Sequence, residues 1–374
     1  MSNASPIHAP PGTCAGCGAC ERICPCSCIT VEKNEEGFGV ARVNETDCIS
    51  CGACKRVCPF VDGTLLLQKP KTTFAFQLED QKERAYSASG GAFAALAELV
   101  LEEGGCVCSA VDDIEHGGKF LLTNERSVVD EMRGSKYYYI DLGSDVISEM
   151  ADALKEGRVL FCGLPCQVNA ARQAVKNSAN FIGVDLLCQG APSYLTTKAY
   201  REETARKAGR ALVRHLFRSK VDDYRGYTAE LLFDDGTVDR KHGDLNVYTC
   251  SFQHKLFLRE ACYSCPFSSD ERTGDITIGD FWGLHSFGGE APSEVSLVLC
   301  NTLSGEGLVA RLNTLGALEP HSLEEAIKGN APLRGPVKRP WVRSFSFGLM
   351  KLFGFSAATV ACYPKYLIKK LLLR

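Results

Sequence analysis

The sequence predicts two folds in one chain: a small α+β domain over residues 1–70 and a larger mixed α/β domain after it. The first prediction rests on eight cysteines that form two copies of one spacing. The second rests on a strand, a helix and a strand in succession between residues 158 and 190. Parallel strands need such a helical connection. The chain therefore joins a cysteine-rich unit to an α/β core.

Composition indicates a globular protein that keeps its cysteines reduced. The 374 residues are 45% hydrophobic and 23% charged, and 20 of them are cysteine. The opening "MSNASPIHAPPG" lacks the basic and apolar segments of a secretory signal, so we expect a cytoplasmic protein whose thiols bind metal. The sequence contains no run of 18 uncharged apolar residues, so it predicts no membrane-spanning helix. The net charge of −3 gives no reason to expect a nucleic-acid partner.

Two cysteine runs lie within residues 1–70. Each follows the spacing C-x2-C-x2-C-x3-C-P, which ends at Cys24-Pro25 in the first run and at Cys58-Pro59 in the second. This spacing is typical of bacterial-type two-cluster ferredoxins, in which the fourth cysteine of each run ligates the other cluster. We therefore assign one 4Fe-4S cluster to Cys14, Cys17, Cys20 and Cys58. The other cluster is assigned to Cys48, Cys51, Cys54 and Cys24.

Zinc is the alternative metal for C-x2-C pairs. It is the weaker interpretation, because zinc needs no third cysteine at the same spacing. Small residues such as Gly16 and Gly52 would also let the backbone approach the sulfur atoms of a cluster. Cys26 and Cys28 fall outside the pattern, and we expect them to be core or spare thiols.

The segment "YSASGGAFAALAELVLEEGG" predicts a helix over residues 92–103. Its apolar residues recur at helical spacing, and Gly104-Gly105 ends the pattern. Small and hydroxylic residues precede the helix, and free backbone N–H groups at such a helix start suit a phosphate. An ordinary helix cap by Ser87 or Ser89 is the alternative.

The larger domain continues as alternating strands and helices. "CVCSAV", "GGKFLLTN" and "SKYYYI" predict strands, "ERSVVDEMRG" predicts a short helix, and "RVLFCG", "LPCQVNAARQAVKN" and "FIGVDLLCQG" predict a β-α-β unit. "YTAELLFDDGTVDRK" predicts a hairpin around Asp235-Gly236. Ligands bind at the carboxyl ends of parallel strands, so Cys166 and Cys188 converge on the expected site. The C-x2-C pair Cys262 and Cys265 would complete four thiolates for a third cluster, with core thiols as the alternative.

Five ordered segments resemble the family of coenzyme F420 hydrogenase/dehydrogenase beta subunits over residues 72–300, with a fused ferredoxin domain ahead. They are "YSASGGAFAALAELVLEEGG", "RGSKYYYI", "VLFCGLPCQVNAAR", "VDLLCQGAPS" and "CYSCPFSSDERTGDITIGDFWG". The resemblance implies a mixed α/β flavin-binding domain, divided between residues 71–155 and 156–320.

The resemblance also implies roles for individual residues. The phosphates of FAD would be contacted by Ser87, Ser89, Gly90 and Gly91. The same cofactor would be lined by Gly134, Ser135 and Lys136. A cluster beside the flavin would be held by Cys166, Cys188, Cys262 and Cys265. The segment that shapes the pocket would supply Arg272, Gly274, Asp275, Asp280 and Trp282.

One departure from the family concerns Gln189. Members commonly read Cys-His-Gly where this chain has Cys188-Gln189-Gly190. Histidine titrates near neutral pH and glutamine does not. If that histidine donates a proton in relatives, this chain needs another acid or a different reaction. His116, in a loop after a predicted strand, is the candidate acid, and an ordinary surface histidine is the alternative.

The resemblance implies an iron–sulfur flavoprotein oxidoreductase that passes electrons from ferredoxin-type clusters through FAD to a bound substrate or coenzyme. The redox partner would be a ferredoxin or the deazaflavin coenzyme F420, and the family name does not fix the small-molecule substrate. The alternative is an electron-transfer subunit of a larger hydrogenase or dehydrogenase complex, with catalysis in a partner chain. Both interpretations leave room for an oligomer.

Residues 321–374 are predicted to form a basic amphipathic tail. From Ala331 to Arg374 there are nine Lys and Arg residues and no Asp or Glu, so the rest of the chain carries −12. Interleaved aromatic, aliphatic and basic residues suit a peripheral contact with a membrane surface. Helices packed on the body with solvated basic ends are the alternative.

Overall fold

The computed structural model describes residues 12–61, 65, 67–220, 228–292 and 294–372. Its strands are β1 (Ile29–Lys33), β2 (Gly39–Val43), β3 (Thr72–Leu78), β4 (Cys106–Val111), β5 (Lys119–Thr123), β6 (Val159–Gly163), β7 (Phe181–Leu186), β8 (Leu212–Ser219), β9 (Thr228–Phe233), β10 (Val238–Lys241), β11 (Ile276–Asp280), β12 (Ser296–Cys300) and β13 (Gly316–His321). Its helices are α1 (Ala19–Ile23), α2 (Ala53–Arg56), α3 (Gln81–Ala85), α4 (Ala92–Glu102), α5 (Arg126–Met132), α6 (Ser144–Glu156), α7 (Pro165–Ala174), α8 (Tyr194–Ala208), α9 (Val247–Gln253), α10 (Leu303–Arg311), α11 (Leu323–Gly329), α12 (Arg343–Phe353), α13 (Phe355–Cys362) and α14 (Lys365–Leu372).

The N-terminal unit has two short helices and one two-stranded sheet. Strands β1 and β2 pair antiparallel, with Ile29 opposite Val43. Helices α1 and α2 each follow a glycine in the left-handed region, Gly18 at φ 76° and Gly52 at φ 71°. Only glycine adopts this conformation without strain, so the glycine inside each cysteine run turns the chain into its helix. The predicted α+β character of this unit is confirmed.

An eight-stranded mixed sheet forms the larger domain. Its strand order is β13-β3-β12-β11-β7-β6-β4-β5. The pairs β4–β6, β6–β7 and β7–β11 are parallel, and the outer pairs are antiparallel. The predicted β-α-β unit is therefore confirmed as β6-α7-β7. Strands from 71–155 and from 156–320 share this one sheet.

Helices cover both faces of the sheet. On one face, α4 buries Leu96, Leu99 and Val100 in a cluster that also contains Leu308 of α10. On the other face, α6 and α7 pack with the aromatic residues of β6 and β7. The predicted helix over residues 92–103 is confirmed as α4. Burial on both faces explains why the central strands read as continuous apolar runs.

The segment "SKYYYI" was predicted to be a strand, and this prediction is wrong, because residues 135–140 form no strand. The backbone N–H of Tyr139 donates to the carbonyl of Pro192 at 2.7 Å instead of to a neighbouring strand. Tyr137 stacks on Phe252 with ring centroids 4.6 Å apart. Tertiary contacts of the tyrosine rings therefore override a local pattern that favours strand.

The predicted hairpin is part of a second, three-stranded antiparallel sheet with strand order β10-β9-β8. Its turn contains Gly236 at φ 81°, the conformation that an Asp-Gly turn supplies. The hairpin prediction is confirmed within the described residues.

Within the predicted tail of residues 321–374, α12 and α13 pack on the body through Phe347, Met350 and Phe355. The hydroxyl of Tyr366 in α14 donates to the carbonyl of Leu245 at 2.9 Å. This is the packing expected of the alternative interpretation of the tail. Its outer side carries an exposed aromatic stripe, which we define as Trp341, Phe345, Leu352 and Phe353, with exposures of 79%, 59%, 76% and 66%. Within the described residues, no helix is long and apolar enough to cross a bilayer.

Candidate functional site

Cysteine set A is Cys14, Cys17, Cys20 and Cys58, the four predicted ligands of one cluster. Together with Cys54 they line a small cavity of about 30 Å³. Burial is the main cause that raises the pKa of Cys17 to about 12, and the charges of the neighbouring Cys14 and Cys58 contribute to this rise. Four neighbouring thiols repel one another when they are deprotonated, so a cationic core between them would stabilise the thiolates. This donor set therefore fits a 4Fe-4S cluster.

Gly16, in the first cysteine run, permits the close approach of two backbone segments beside set A. Gly16 has φ +62°, and a Cβ atom there would lie 2.4 Å from the carbonyl oxygen of Gly39. Its backbone N–H also points to Cys14 Sγ at 3.4 Å. Backbone N–H groups aimed at cluster sulfurs tune the potential of a cluster.

Cysteine set B is Cys24, Cys48, Cys51 and Cys54. Burial raises the pKa of Cys54, and Cys48 and Cys51 add to the effect through their charges. Cys24 lies in the same cluster of packed residues as Cys48 and Cys54. Cys24 therefore lies with the second run and Cys58 with the first, which is the exchange that the spacing predicts.

The two cysteines outside the pattern lie next to set B. The Sγ atom of Cys28 is 3.4 Å from that of Cys24. Cys28 is buried, and Cys26 is half-buried in the same packed group. They are neighbours of a predicted ligand set, in agreement with a packing role.

Cysteine set C is Cys166, Cys188, Cys262 and Cys265. Cys166 lies in the first turn of α7, Cys188 follows β7, and the other two belong to the turn at Glu260–Ser264 and the residue after it. Burial raises the pKa of Cys166 well above its usual range, and the other three thiols contribute to the same shift. Within the described residues, no three His, Cys, Asp or Glu side chains are arranged to hold a single metal ion. The four residues are half-buried and lie close enough for their charges to affect one another, and four such thiols would suit a further cluster.

Sets A and C meet where α1 packs on α7. Cys17 belongs to a packed group that contains Ala170 of α7 and touches Cys166. The charge of Cys17 also contributes to the raised pKa of Cys166. The three sets therefore follow one another in space in the order B, A and C.

A cavity of about 340 Å³ opens at the carboxyl ends of β6, β7 and β11. This volume lies in the usual range for small-molecule sites, roughly 300–1,000 Å³. Cys188 of set C lines the cavity, as do seven residues predicted from the sequence: Ser87, Ser89, Gly91, Gly134, Ser135, Lys136 and Gln189. Asp280 and Trp282 line it as well.

The start of α4 opens into this cavity without a side-chain cap. The hydroxyl of Ser89 donates to the carbonyl of Val295 at 2.9 Å. Gly91, the residue before the helix, has φ +93°. The first N–H groups of α4 therefore have no serine cap, which is the arrangement that suits an anion.

Basic side chains surround the same end of the cavity. Lys136 donates to the carbonyls of Met132 at 2.7 Å and Arg133 at 3.0 Å. Burial lowers the pKa of Lys136 to about 8. Arg133 lines the cavity as well and pairs with Glu83 at 2.6 Å.

Gln189 is held by a lysine that the sequence did not single out. The Nζ atom of Lys255 donates to Gln189 Oε1 at 2.7 Å, and both residues line the cavity. Burial lowers the pKa of Lys255 to about 8. Arg218, which pairs with Asp280 at 2.7 Å, was also missed. No local motif marks either residue, because only the fold brings them to the strand ends.

Five residues predicted for the pocket do not line the cavity: His116, Asp275, Gly90, Arg272 and Gly274. The side chain of His116 is 80% exposed and lies 3.4 Å from Asp113, at the surface position that the alternative interpretation expects. Asp275 is buried and accepts from the N–H of Gly183 at 2.7 Å, so it is a structural carboxylate. Gly90 serves close packing, since a Cβ atom there would be 2.3 Å from a carbonyl oxygen of β3.

Arg272 and Gly274 follow set C in the chain and contact β7 and the loop after Cys265. Arg272 is 1% exposed and forms an ion pair with the buried Asp185. Its Nη1 also donates to the carbonyl of Phe267, two residues after Cys265, at 3.0 Å. Gly274 lets this strand approach β7, because a Cβ atom there would lie 2.8 Å from the carbonyl oxygen of Gly183.

The fold and the cysteine sets define an iron–sulfur protein built from a two-cluster domain and an α/β domain. Residues 13–61 match the family model described as "4Fe-4S dicluster domain". Residues 156–326 match the family model for the C-terminal part of the coenzyme F420 hydrogenase/dehydrogenase beta subunit. The resemblance to this family with a fused ferredoxin domain is thereby confirmed.

One curated protein and one solved structure are similar to this chain. One subunit of the F(420)H(2) dehydrogenase of Methanosarcina mazei is 28% identical over 179 residues, which span 44% of this chain and 49% of the relative. This chain therefore matches about half the length of that relative. A chain of the F420-reducing NiFe hydrogenase complex from Methanosarcina barkeri aligns with a TM-score of 0.49 at 19% identity, over 82% of this chain and 93% of that one.

Proposed function

We propose that this chain is an iron–sulfur flavoprotein oxidoreductase that carries electrons from its ferredoxin domain to a substrate or coenzyme in the cavity. The observation that carries the proposal is the position of set C. Cys166 packs beside Cys17 of set A, whereas Cys188 lines the cavity. A cluster held by set C would therefore connect the ferredoxin domain with the bound ligand.

FAD is the cofactor that we propose for the cavity. The uncapped start of α4 and the basic pair Arg133 and Lys136 supply N–H groups and positive charge for its phosphates. Ser87, Ser89, Gly91, Gly134 and Ser135 would line it. Bound there, FAD would supply the exchange between one-electron carriers and two-electron chemistry. Lys255 would keep the Gln189 amide oriented at the end nearest Cys188.

A second candidate function is that of an electron-transfer subunit in a larger complex. The observation that favours it is the relative from Methanosarcina mazei, which is named as a subunit of an F(420)H(2) dehydrogenase. In either case we propose ferredoxin or coenzyme F420 as the redox partner. Gel filtration of the protein purified from its source separates the candidates, because a subunit elutes together with other chains.

We also propose that the tail contacts an anionic membrane surface. The exposed aromatic stripe lies in the stretch that has nine basic and no acidic residues. Apolar rings with flanking cations are the combination that binds such a surface.

Cofactor analysis of the full chain tests the main proposal. After anaerobic purification, we expect ~12 irons per chain, from three clusters of the 4Fe-4S type, and one extractable FAD. The double variant C166S/C188S should retain about 8 irons, and C362S, which changes a thiol outside the three sets, should match wild type. A wild-type protein with about 8 irons or without flavin would contradict the proposal.

A further inference from the structure

Arg259 joins the ferredoxin unit to the larger domain. It lies just before the turn that carries Cys262, and its own carbonyl accepts from the N–H of Cys262 at 3.0 Å. Its side chain is 4% exposed. The Nη1 atom donates to the carbonyls of Cys14 at 3.0 Å and Gly39 at 2.9 Å. One buried side chain thus touches set A while its backbone supports set C.

Two aromatic rings hold the guanidinium in place. Its central carbon lies 4.7 Å from the ring centroid of Phe38 and 4.3 Å from that of Tyr139. Phe38 comes from the ferredoxin unit and Tyr139 from the larger domain. The positive charge therefore sits at the junction of the two units, in a sandwich that favours a cation.

No carboxylate among the described residues forms an ion pair with Arg259. The carboxylate of Asp141 lies close to Gly39, but it pairs with Lys33. The Nε and Nη2 atoms of Arg259 are buried and find no hydrogen-bond partner in the part of the chain that the structure describes. A buried, unpaired cation is strongly unfavourable. Two carbonyl acceptors and two aromatic rings compensate this charge only in part, so further negative charge nearby would stabilise it.

The two flanking cysteine sets would supply that charge. A 4Fe-4S cluster with four thiolate ligands is anionic, and its negative charge grows when it takes up an electron. Arg259 lies within reach of both sets, because its Nη1 donates to the carbonyl of Cys14 and its own carbonyl accepts from the N–H of Cys262. The ring of Tyr139 lies where the charges of both Cys166 and Cys17 act on it.

We propose that Arg259 is the shared counter-charge of the clusters held by sets A and C, and that it raises the reduction potential of both. The inference rests on the proposed function, since it presumes a cluster in set C. A cation favours the reduced form of a cluster, because that form carries more negative charge. Arg259 is thus a positioning and tuning residue for electron transfer between the two units. Set B has no such cation from Arg259 and serves as a reference in the same molecule.

The test is a potentiometric titration of the full chain, followed by low-temperature electron paramagnetic resonance. We expect R259Q and R259M to lower the reduction equilibrium constants of the set A and set C clusters at least tenfold, ~59 mV for one electron. The set B cluster should keep its midpoint. R259K should restore most of the potential, because it retains the charge. The control R42Q removes an exposed charge of the ferredoxin unit and should change little.

Several outcomes would overturn this assignment. They are unchanged midpoints in both neutral variants, or an equal shift of all three clusters. If neither neutral variant retains iron, R259K decides: recovery of iron and of the wild-type midpoints supports a role for the charge. An R259K protein as poor in iron as the neutral variants contradicts it. A wild-type protein with about 8 irons defeats the proposed function instead, and the midpoint of set A then still tests Arg259.

Discussion

Lys136 shows how one residue can make cofactor binding depend on pH. Its ammonium lies at the carboxyl end of α5, where it donates hydrogen bonds to the carbonyls of Met132 and Arg133. Cations are favoured at this end of a helix. Burial opposes the charge and lowers the pKa to about 8. The side chain therefore changes charge within an accessible pH range while it lines the cavity.

We predict that the affinity of the apoprotein for FAD falls as pH rises through about 8. Protonated Lys136 attracts the phosphates, and the neutral amine does not. K136M should lose about 1.5–3 kcal/mol of binding free energy at pH 7, and K136R should bind with no step near this pH. Fluorescence titration with FAD measures each affinity. K119M, at an exposed lysine of β5, is the control.

Stability of the apoprotein should change in the opposite direction. The folded pKa of Lys136 is below its unfolded value, so the unfolded chain binds more protons between about pH 8 and 10.5. The free energy of unfolding therefore rises with pH across this window.

For the binding prediction, a wild-type FAD affinity as flat with pH as that of K136R would contradict a role for Lys136.

At the scale of elements, α12 fastens the ferredoxin unit to the body. Arg343, its first residue, is 2% exposed and binds both carboxylate oxygens of Glu36 at 2.8 and 2.6 Å. Its Nε also donates to the carbonyl of Leu258, next to Arg259, at 2.9 Å. Glu36 lies in the turn between β1 and β2. The tail, the ferredoxin unit and the segment that precedes Cys262 therefore meet at the buried guanidinium of Arg343.

We predict that E36Q loosens this junction, because it leaves Arg343 buried without its charge partner. Loss of one partner from such a pair costs about 2–5 kcal/mol. The urea concentration at half-loss of the visible cluster absorbance should fall accordingly. The matched control is E35Q, since the Glu35 side chain is 94% exposed and lies 3.7 Å from Lys351. Equal urea sensitivity of the two variants would refute a clamp at Glu36.

At the scale of the whole molecule, the tail gives one surface an unusual character. Trp341 packs edge-on against Phe345, with ring centroids 6.4 Å apart, and both face outward. Leu352 follows two helical turns later on the same face. The buried side of α12 contains Phe347 and Met350 as well as Arg343 and Ser346. The helix therefore buries an apolar contact and exposes further apolar side chains, and an exposed apolar patch of this kind marks an interaction surface.

We predict that the full chain sediments with vesicles of phosphatidylglycerol and remains in the supernatant with phosphatidylcholine. Each basic residue near an anionic surface contributes roughly 1 kcal/mol, and the rings add apolar contact. The double variant W341S/F345S should bind at least tenfold more weakly. L303S, which changes an exposed leucine of α10, should bind as wild type does. Recovery of the wild-type protein in the supernatant with both lipids would rule out the membrane contact.

Local patterns predicted much of this molecule because their physical causes are local. The cysteine spacing and its glycines predict the ferredoxin unit, since short spacers and left-handed turns are set by neighbouring residues. Apolar runs of strand length around α7 predict the parallel core in the same way. Ser87, Ser89 and Gly91 were placed at the cavity from the resemblance. "SKYYYI" was mispredicted, because contacts remote in sequence decide its conformation.

Other features had no local signal at all. His116 was assigned from its place in a loop after a predicted strand and Asp275 from the family resemblance, and neither lines the cavity in the folded chain. Lys255 and Arg218 reach the strand ends only because distant segments fold against the sheet. Polar residues at loops can face either solvent or a cleft, and sequence spacing does not distinguish these positions.

The sequence alone determined which groups of this protein can carry chemistry: two runs of cysteines, a C-x2-C pair and a glycine-rich helix start. Tertiary structure decided their order in space, with set B, set A, set C and the cavity in succession. It also decided that Arg259 lies between sets A and C, with no ion pair to any carboxylate in the described part of the chain. The physical reason is range: ligand spacing and turn conformation depend on neighbouring residues, whereas burial and charge depend on segments that meet only when the chain folds.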